Sequence, residues 1–359
     1  MTKPIIVGIS GGVDSSVTAL LLKEKGFNVE CIFMKNWEGD DENCTTSDDY
    51  KDALSVCDHL GLQLHSVNFS KEYWENVFTY FIDEYAKGRT PNPDVLCNRE
   101  VKFKAFLDYS LKLGANKIST GHYARIKKNG DTYALFKGLD ESKDQSYFLY
   151  LLGQNQLSKS MFPIGNIEKT EVRKIAESSG LINYAKKDST GICFIGEQKF
   201  FKEFLKKYIP AKPGLIQTTE GNNCGKHDGL MYYTIGQRKG LGIGGGFGDK
   251  EEPWFVADKD FDNNILIVAQ GHNHPSLFHK KLVADQLHWI SGLQPENTKN
   301  LSAKIRYRQK DQECRLSLLN NDECIVEFKN PQFAITPGQS VVFYDGEECL
   351  GGAIINNWR

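Results

Sequence analysis

Short apolar runs alternate with amphipathic stretches over the first third of the chain: Ile5-Ile6-Val7-Gly8-Ile9, Val13 to Lys25, Val29 to Met34, Asp48 to Leu60 and Leu62 to Val67. The short runs read as strands buried on both faces and the longer stretches as crossover helices. The expected fold is α/β, a doubly wound parallel sheet. Helical periodicity continues through Tyr73 to Tyr85, Arg99 to Leu113 and Lys169 to Ser179, with a hairpin-like piece near Tyr123 to Lys137.

After Tyr208 the texture changes. Pro210, Pro213 and many glycines appear, culminating in the run from Gly240 to Gly248. From about Lys280 the pattern is of the β type, in Lys304 to Leu319, Glu323 to Phe328 and Ser340 to Tyr344, broken by turns at Asn320-Asn321-Asp322 and Asp345-Gly346. A small antiparallel β-barrel is expected there. The expected division is a catalytic domain over 1–207, a small central domain over 208–277 and the barrel over 278–359.

The 359 residues fit such a division, since one hydrophobic core rarely organises so many. A formal net charge of −2 gives no global basic signature, so any contact with nucleic acid rests on local patches. No signal peptide and no membrane span is read, and the nine cysteines lack the dense spacing of a secreted disulfide scaffold. A reducing compartment, the cytoplasm, is the expectation. No C-x-x-C pair occurs, which removes the strongest sign of a zinc ribbon or an Fe–S cluster.

Candidate chemistry begins with Gly8, Ile9, Ser10, Gly11, Gly12, Val13, Asp14 and Ser15, where the first strand hands over to the first helix. Doubly wound sheets bind ligands at that place, and glycines, hydroxyls and a helix N-terminus make an anion cradle. A Walker A loop is excluded because its Gly-Lys-Ser/Thr ending is missing. Asp14 beside phosphates implies an intervening cation and is assigned to Mg²⁺.

Two cysteines stand apart from the rest. Cys97 ends the irregular Pro91-Asn92-Pro93-Asp94-Val95-Leu96 stretch just before an amphipathic helix, and Cys193 lies between Gly191 and Gly196. A helix N-terminus and Arg99 would both favour a thiolate at Cys97, while Asp94 opposes it and offers a general acid or base. Cys31, Cys57, Cys314 and Cys324 lie on apolar periodic faces and read as buried small hydrophobes.

The S-G-G-V-D-S-S loop resembles that of the ATP pyrophosphatase (PP-loop) superfamily, which splits ATP into AMP and pyrophosphate. With P-N-P-D-V-L-C-N, G-H-Y-A-R, K-D-Q-S-Y-F-L, S-T-G-I-C-F-I-G-E, G-L-M-Y-Y-T-I-G-Q-R-K-G-L-G-I-G-G and T-P-G-Q-S-V-V-F-Y-D-G-E following in order, nearly the whole chain resembles the bacterial tRNA 2-thiouridylases. The resemblance implies that ATP activates the C2 oxygen of a wobble uridine in the Lys, Glu and Gln tRNAs, and that sulfur from a persulfide then replaces it. Cys193 would carry the persulfide and Cys97 would form a disulfide with Cys193 as sulfur is released. Gly8 to Ser15, Met34 and Gly121 would line the ATP site, and Asn92, Pro93 and Asp94 would meet the base. His122, Lys143, Asp144, Gln145, Arg306, Tyr307 and Gln339 would contact tRNA. A sulfur donor, either a cysteine desulfurase or a relay protein, is the implied partner, and a monomer is favoured.

Other residues admit plainer readings. His122 follows a strand and is by default a satisfied structural histidine, though beside Arg125 it could meet phosphate or base. His272-Asn273-His274 reads as a surface turn. Gly240 to Gly245 matches G-x-G-x-x-G without a strand-to-helix setting and reads as a loop, with Gln237, Arg238 and Lys239 before it. Arg306-Tyr307-Arg308-Gln309-Lys310 reads as a strand with its cations on one face. Two rival functions remain: an amide-forming synthetase using the same loop without paired cysteines, and a non-catalytic RNA- or nucleotide-binding protein.

Overall fold

The computed structural model of the chain describes residues 3–38, 46–188, 201–244, 252–295, 298 and 301–358. Strand β1 (Ile5–Ile9) is apolar or glycine at every position and wholly buried. It lies in the middle of a parallel sheet with β2 (Val29–Lys35), β3 (Gln63–Asn68), β4 (Lys117–Ser119) and, beyond a hairpin of β5 (Ala124–Asn129) and β6 (Thr132–Lys137), the short β7 (Ser160–Met161). The order is β3-β2-β1-β4-β7, every neighbour parallel.

Successive side chains of β1 alternate between two cores. Ile5, Val7 and Ile9 face helices α1 (Val13–Glu24) and α2 (Thr46–Leu60) and the Lys169–Ser178 helix, through Val17, Val56, Cys57 and Val172. Ile6 faces Tyr73, Val77, Phe81, Val101, Phe103 and Phe106 on the other side. Helices thus cover both faces, as a doubly wound fold requires. The second layer differs from simple α-helix: Trp74–Phe78 and Cys97–Ala105 are π-wound within helical runs over 70–86 and 93–112.

The next sheet runs β10 (Trp254–Asp260), β11 (Ile265–Gln270), β8 (Gly214–Thr218), β9 (Asn223–His227). The last six strands, β12 (Phe278–Trp289), β13 (Leu301–Lys304), β14 (Gln312–Leu318), β15 (Cys324–Phe333), β16 (Ser340–Asp345) and β17 (Glu348–Trp358), form the antiparallel barrel, closed by β12 against β17. The β5–β6 hairpin leaves the first sheet and joins this barrel, Phe136 opposite Glu348 and Leu135 opposite Cys349. Cores run through the joins, with Tyr150 and Leu149 packed in one cluster with Val342, Tyr344 and Ile235.

One expected strand is absent. Arg306 to Lys310 is the turn between β13 and β14, because Gln309 accepts from the Ile305 amide and donates its own amide to the Arg306 carbonyl, closing the chain on itself. Its cations therefore share no strand face. His272 to His274 is a turn as read, His272 stacked 4.6 Å from Phe333 and His274 capping Ser276. Among the described residues no group of three metal-ligating side chains converges, and no helix is long and apolar enough to cross a membrane. Cys31, Cys57, Cys314 and Cys324 are buried, as expected.

Candidate active site

Strand β1 has β2 on one side and β4 on the other, so its carboxyl end opens at the switch point of the sheet. Gly11 turns the chain there with φ +75°, and Gly12 caps α1 without any side-chain bond to the first helical amides. Those amides and the helix dipole face the opening, a ready site for phosphate. The Ser15 hydroxyl donates to the Gly12 carbonyl at 3.0 Å and accepts from the Ser10 amide at 3.1 Å, fixing the turn. Asn183 donates to the Gly11 carbonyl and to Ser16, each at 2.9 Å. Ile9 and Val13 are buried in the core and offer only main chain. Close approach is built in elsewhere too: a β-carbon on Gly121 would lie 2.8 Å from the Ser15 nitrogen, and one on Gly8 would lie 3.1 Å from the Met34 methyl.

Asp14 does not wait for a metal with free oxygens. Lys169 reaches both of its oxygens, at 2.7 and 2.8 Å, and the Tyr123 hydroxyl donates to it at 2.7 Å. The same ammonium lies 2.7 Å from Asp188, which also takes Lys143 at 2.8 Å and Arg173 at 2.9 Å. Partial burial pushes the Asp188 carboxyl up, but hydrogen bonds from Lys143 and Lys169 outweigh it and bring its pKa down to about 2. Burial, with Asp14 beside it, drives the Tyr123 hydroxyl far above its usual value. An Asp14 carboxylate and loop hydroxyls are hard oxygen donors suited to Mg²⁺, so the residues fit, provided Lys169 yields a place. Sequence reasoning missed Lys169, Asp188, Tyr123 and Asn183. The available signal was Asp14 itself, whose charge a lysine balances as well as a divalent ion does.

Asn92 caps the second helical run, accepting from the Asp94 amide at 3.2 Å, with Pro93 at the first helical position. Asp94 therefore sits in the first turn and Cys97 beyond it, where the dipole has faded. Arg99 is drawn to Glu100 at 2.7 Å. The two supports expected for a Cys97 thiolate thus act elsewhere. Cys97 is buried in the core cluster with Val101, Phe103 and Phe106, and Phe106 packs against Gly8 of β1. Asp94 is exposed to solvent although many protein atoms surround it. Burial raises its pKa above the ordinary carboxylate range, with Lys102 opposing. Cys193 lies outside the described residues.

The residues assigned to tRNA by resemblance are engaged within the fold. Gln339 donates to the carbonyls of Thr90 at 2.8 Å and Pro91 at 3.4 Å, while the Thr90 amide donates to Pro337. Asn98 donates to Phe148, whose ring lies 4.3 Å from that of Tyr307. The Tyr307 hydroxyl donates to the Lys143 carbonyl, and Gln145 accepts from the Tyr123 amide. Asp144 is 4% exposed, its oxygens taken by the Gly138 and Ser146 amides and by Lys304 at 3.2 Å. Arg306 donates to the carbonyls of Ile235 and Ala334 and to Thr336, joining the central domain to the barrel. His122 is buried between Phe103 and Phe162, bonded to Thr120 at 2.7 Å, and burial holds its pKa well below the usual value.

A parallel sheet that opens onto a glycine-turned, uncapped helix start is the architecture of a nucleotide-binding domain, and the family model that covers this part of the chain is described as a HUP domain. Residues 3–197 match the family model described as tRNA methyl transferase HUP domain, 202–270 the tRNA methyl transferase PRC-barrel domain and 279–355 the aminomethyltransferase beta-barrel domain. The chain is 61% identical to the tRNA-specific 2-thiouridylase MnmA of Hydrogenovibrio crunogenus, over 98% of this chain and 93% of that one. It is 58% identical to the protein of the same name from Pseudomonas putida, over 98% and 94%. The chain belongs to the tRNA-specific 2-thiouridylase family. Among solved structures it is similar to the U34-tRNA thiolase NcsA of Methanococcus maripaludis, with TM-score 0.36 and 21% identity over 58% of this chain and 67% of that one.

Proposed function

We propose that this chain adenylates the C2 oxygen of the wobble uridine in the Lys, Glu and Gln tRNAs and replaces that oxygen with sulfur, giving 2-thiouridine, AMP and pyrophosphate. The observation that carries the reading is the phosphate loop at the β1 switch point, with Phe106 of the helical run that holds Asp94 and Cys97 lying against Gly8. ATP phosphates would lie on the amides of Gly11 to Ser15, and Mg²⁺, held by Asp14, would shield their charge. Met34 and Gly121 would border the nucleotide.

The uridine C2 carbonyl has no leaving group. Its oxygen attacks the ATP α-phosphorus, pyrophosphate departs, and the N3 proton goes to a base, for which Asp94 has the right exposure and a raised pKa. Asn92 and Pro93 hold the base edge. A Cys193 persulfide sulfur then attacks C2, and AMP leaves with the oxygen. The Cys97 thiolate attacks the inner sulfur of Cys193, breaking the persulfide bond and leaving sulfur on C2. Two thiols are thereby oxidised to a disulfide as the transferred sulfur is reduced, and a cellular thiol resets the pair. Lys143, Gln145, Arg306, Tyr307 and Gln339 would contact tRNA, while His122 and Asp144, both buried, would support that surface from within.

A cysteine desulfurase or a relay protein loads Cys193, and the enzyme works as a cytoplasmic monomer with domains at 1–207, 208–277 and 278–359. The test is mass spectrometry of unmodified tRNA after incubation with protein, ATP, Mg²⁺ and a persulfide source. Full activity in both Cys97→Ser and Cys193→Ser would overturn the sulfur chemistry. AMP release without tRNA would point to another adenylated substrate.

A further inference from the structure

We infer that a basic bay at the amino edge of the first sheet is a second RNA site, taking sugar–phosphate backbone of the tRNA away from the reacting uridine. The inference rests on the function proposed above. The bay has a volume of about 350 Å³ and is lined by Lys25, Lys117, Arg125 and Lys128, with no acidic residue among the described residues around it. Lys117 is the first residue of β4, and Lys25 follows the last residue of α1. The bay therefore lies at the opposite edge of the parallel sheet from the phosphate loop, and is a separate place from the nucleotide site.

Four cations drawn together stand out in a chain of net charge −2. Lys25, Lys117 and Lys128 form no ion pair among the described residues, and Lys25 and Lys128 are exposed. Arg125 differs, since it donates to the Lys137 carbonyl at 2.6 Å and lies 3.2 Å from Glu347, which makes it part of the wall. Lys128 and Tyr133 stand opposite each other on the β5–β6 hairpin, the ammonium 6.0 Å from the ring centre. Gln154 holds the Tyr133 amide and carbonyl at 2.7 and 2.8 Å, so the ring is presented from a fixed strand. Uncompensated ammonium groups beside a half-buried aromatic ring suit a nucleotide, with charge for its phosphate and a flat face for its base. An acidic peptide would satisfy the lysines but would not use the ring.

Strand β5 links the bay to the surface assigned to tRNA. It begins next to Tyr123, whose amide donates to Gln145, and runs from Ala124 to Asn129, a span of about 20 Å at ~3.3 Å per residue. RNA that touches Lys143 and Gln145 and follows this strand arrives at Lys128. Contacts made there add affinity for tRNA and touch none of the reacting groups.

The experiment measures the dissociation constant of unmodified tRNA against salt concentration for wild type, for the triple variant Lys25→Gln/Lys117→Gln/Lys128→Gln and for each single variant. Each lysine that holds a phosphate contributes about one to the slope of log affinity against log salt. The slope is expected to fall by about 2 to 3 in the triple variant and by about 1 in each single variant, which decides the matter if the triple variant does not fold by thermal melting. Affinity at about 0.1 M salt should drop at least ~10-fold in the triple variant. The single-turnover rate of 2-thiouridine formation at saturating tRNA, with ATP, Mg²⁺ and a low-molecular-weight persulfide, should stay at the wild-type value. An unchanged slope overturns the assignment. If turnover then falls only when a protein supplies the sulfur, the bay serves a protein instead. A wild type that neither binds tRNA nor forms 2-thiouridine defeats the proposed function rather than this site.

Discussion

The Lys169 ammonium grips both carboxylate oxygens of Asp14, across 155 residues of sequence, from a side chain only 8% exposed. Replacing it with methionine strands a partly buried carboxylate in the phosphate loop. Lys169→Met is expected to cost about 3 kcal/mol of stability in denaturant titration. It is also expected to slow AMP release at least ~10-fold, with the tRNA dissociation constant little changed.

Gly11→Ala places a β-carbon 2.2 Å from the Asp49 carbonyl oxygen in a backbone conformation of φ +75°. The turn must open, and the amides that face phosphate must part. ATP-dependent AMP release is expected to fall on the order of 10²-fold. Near-normal release would mean that the loop does not hold the phosphates.

In the proposed reaction Asp94 would act as a base only when ionised, and burial raises its pKa. The acid limb of single-turnover AMP formation should therefore lie above pH ~4, the ordinary carboxylate value, with activity lost as pH falls through it. Asp94→Asn should lower the rate about 10²-fold or more and abolish that limb.

His122 is held neutral in the fold, with its pKa well below 6.5. Unfolding then takes up a proton at any pH beneath the unfolded value. Its contribution to stability is complete above about pH 6.5 and shrinks as pH falls, by at most about 1.4 kcal/mol per pH unit. Denaturant titrations between pH 7 and 5 should show this slope in wild type and its loss in His122→Leu.

Gln339 lies in the barrel yet bonds the backbone that leads into Asn92. Gln339→Ala is expected to slow adenylation and thiolation together about 10-fold while leaving the KM for ATP unchanged. A tRNA-binding defect alone, with normal single-turnover rates at saturating tRNA, would refute the bracing role.

Much of this was legible in the chain because local patterns carried it. Strand β1 announces itself by five residues without one polar side chain, and the loop after it by its glycines. The barrel follows from alternation and turn residues. The turn at Arg306 was missed for the same reason: alternating types mimic a strand, and only the Gln309 side chain, closing on Ile305, shows otherwise. Charge partners were the least legible. Nothing near Asp14 in sequence points to Lys169, whereas the partner of Arg99 is its own neighbour Glu100, which the reading of Cys97 left out. The π-wound turns leave no mark in hydrophobic spacing that distinguishes them from ordinary helix.

The hairpin that pairs Leu135 with Cys349 splices the catalytic half into the barrel wall. A premature stop that removed the last two strands would therefore do more than shorten a tail. It would bare the edge of β6 that pairs with the last strand and take away Tyr344, which packs in one core with Tyr150 of the first domain. In genetic terms the two ends of this gene behave as one locus of function, and nonsense alleles near the 3′ end are expected to be null.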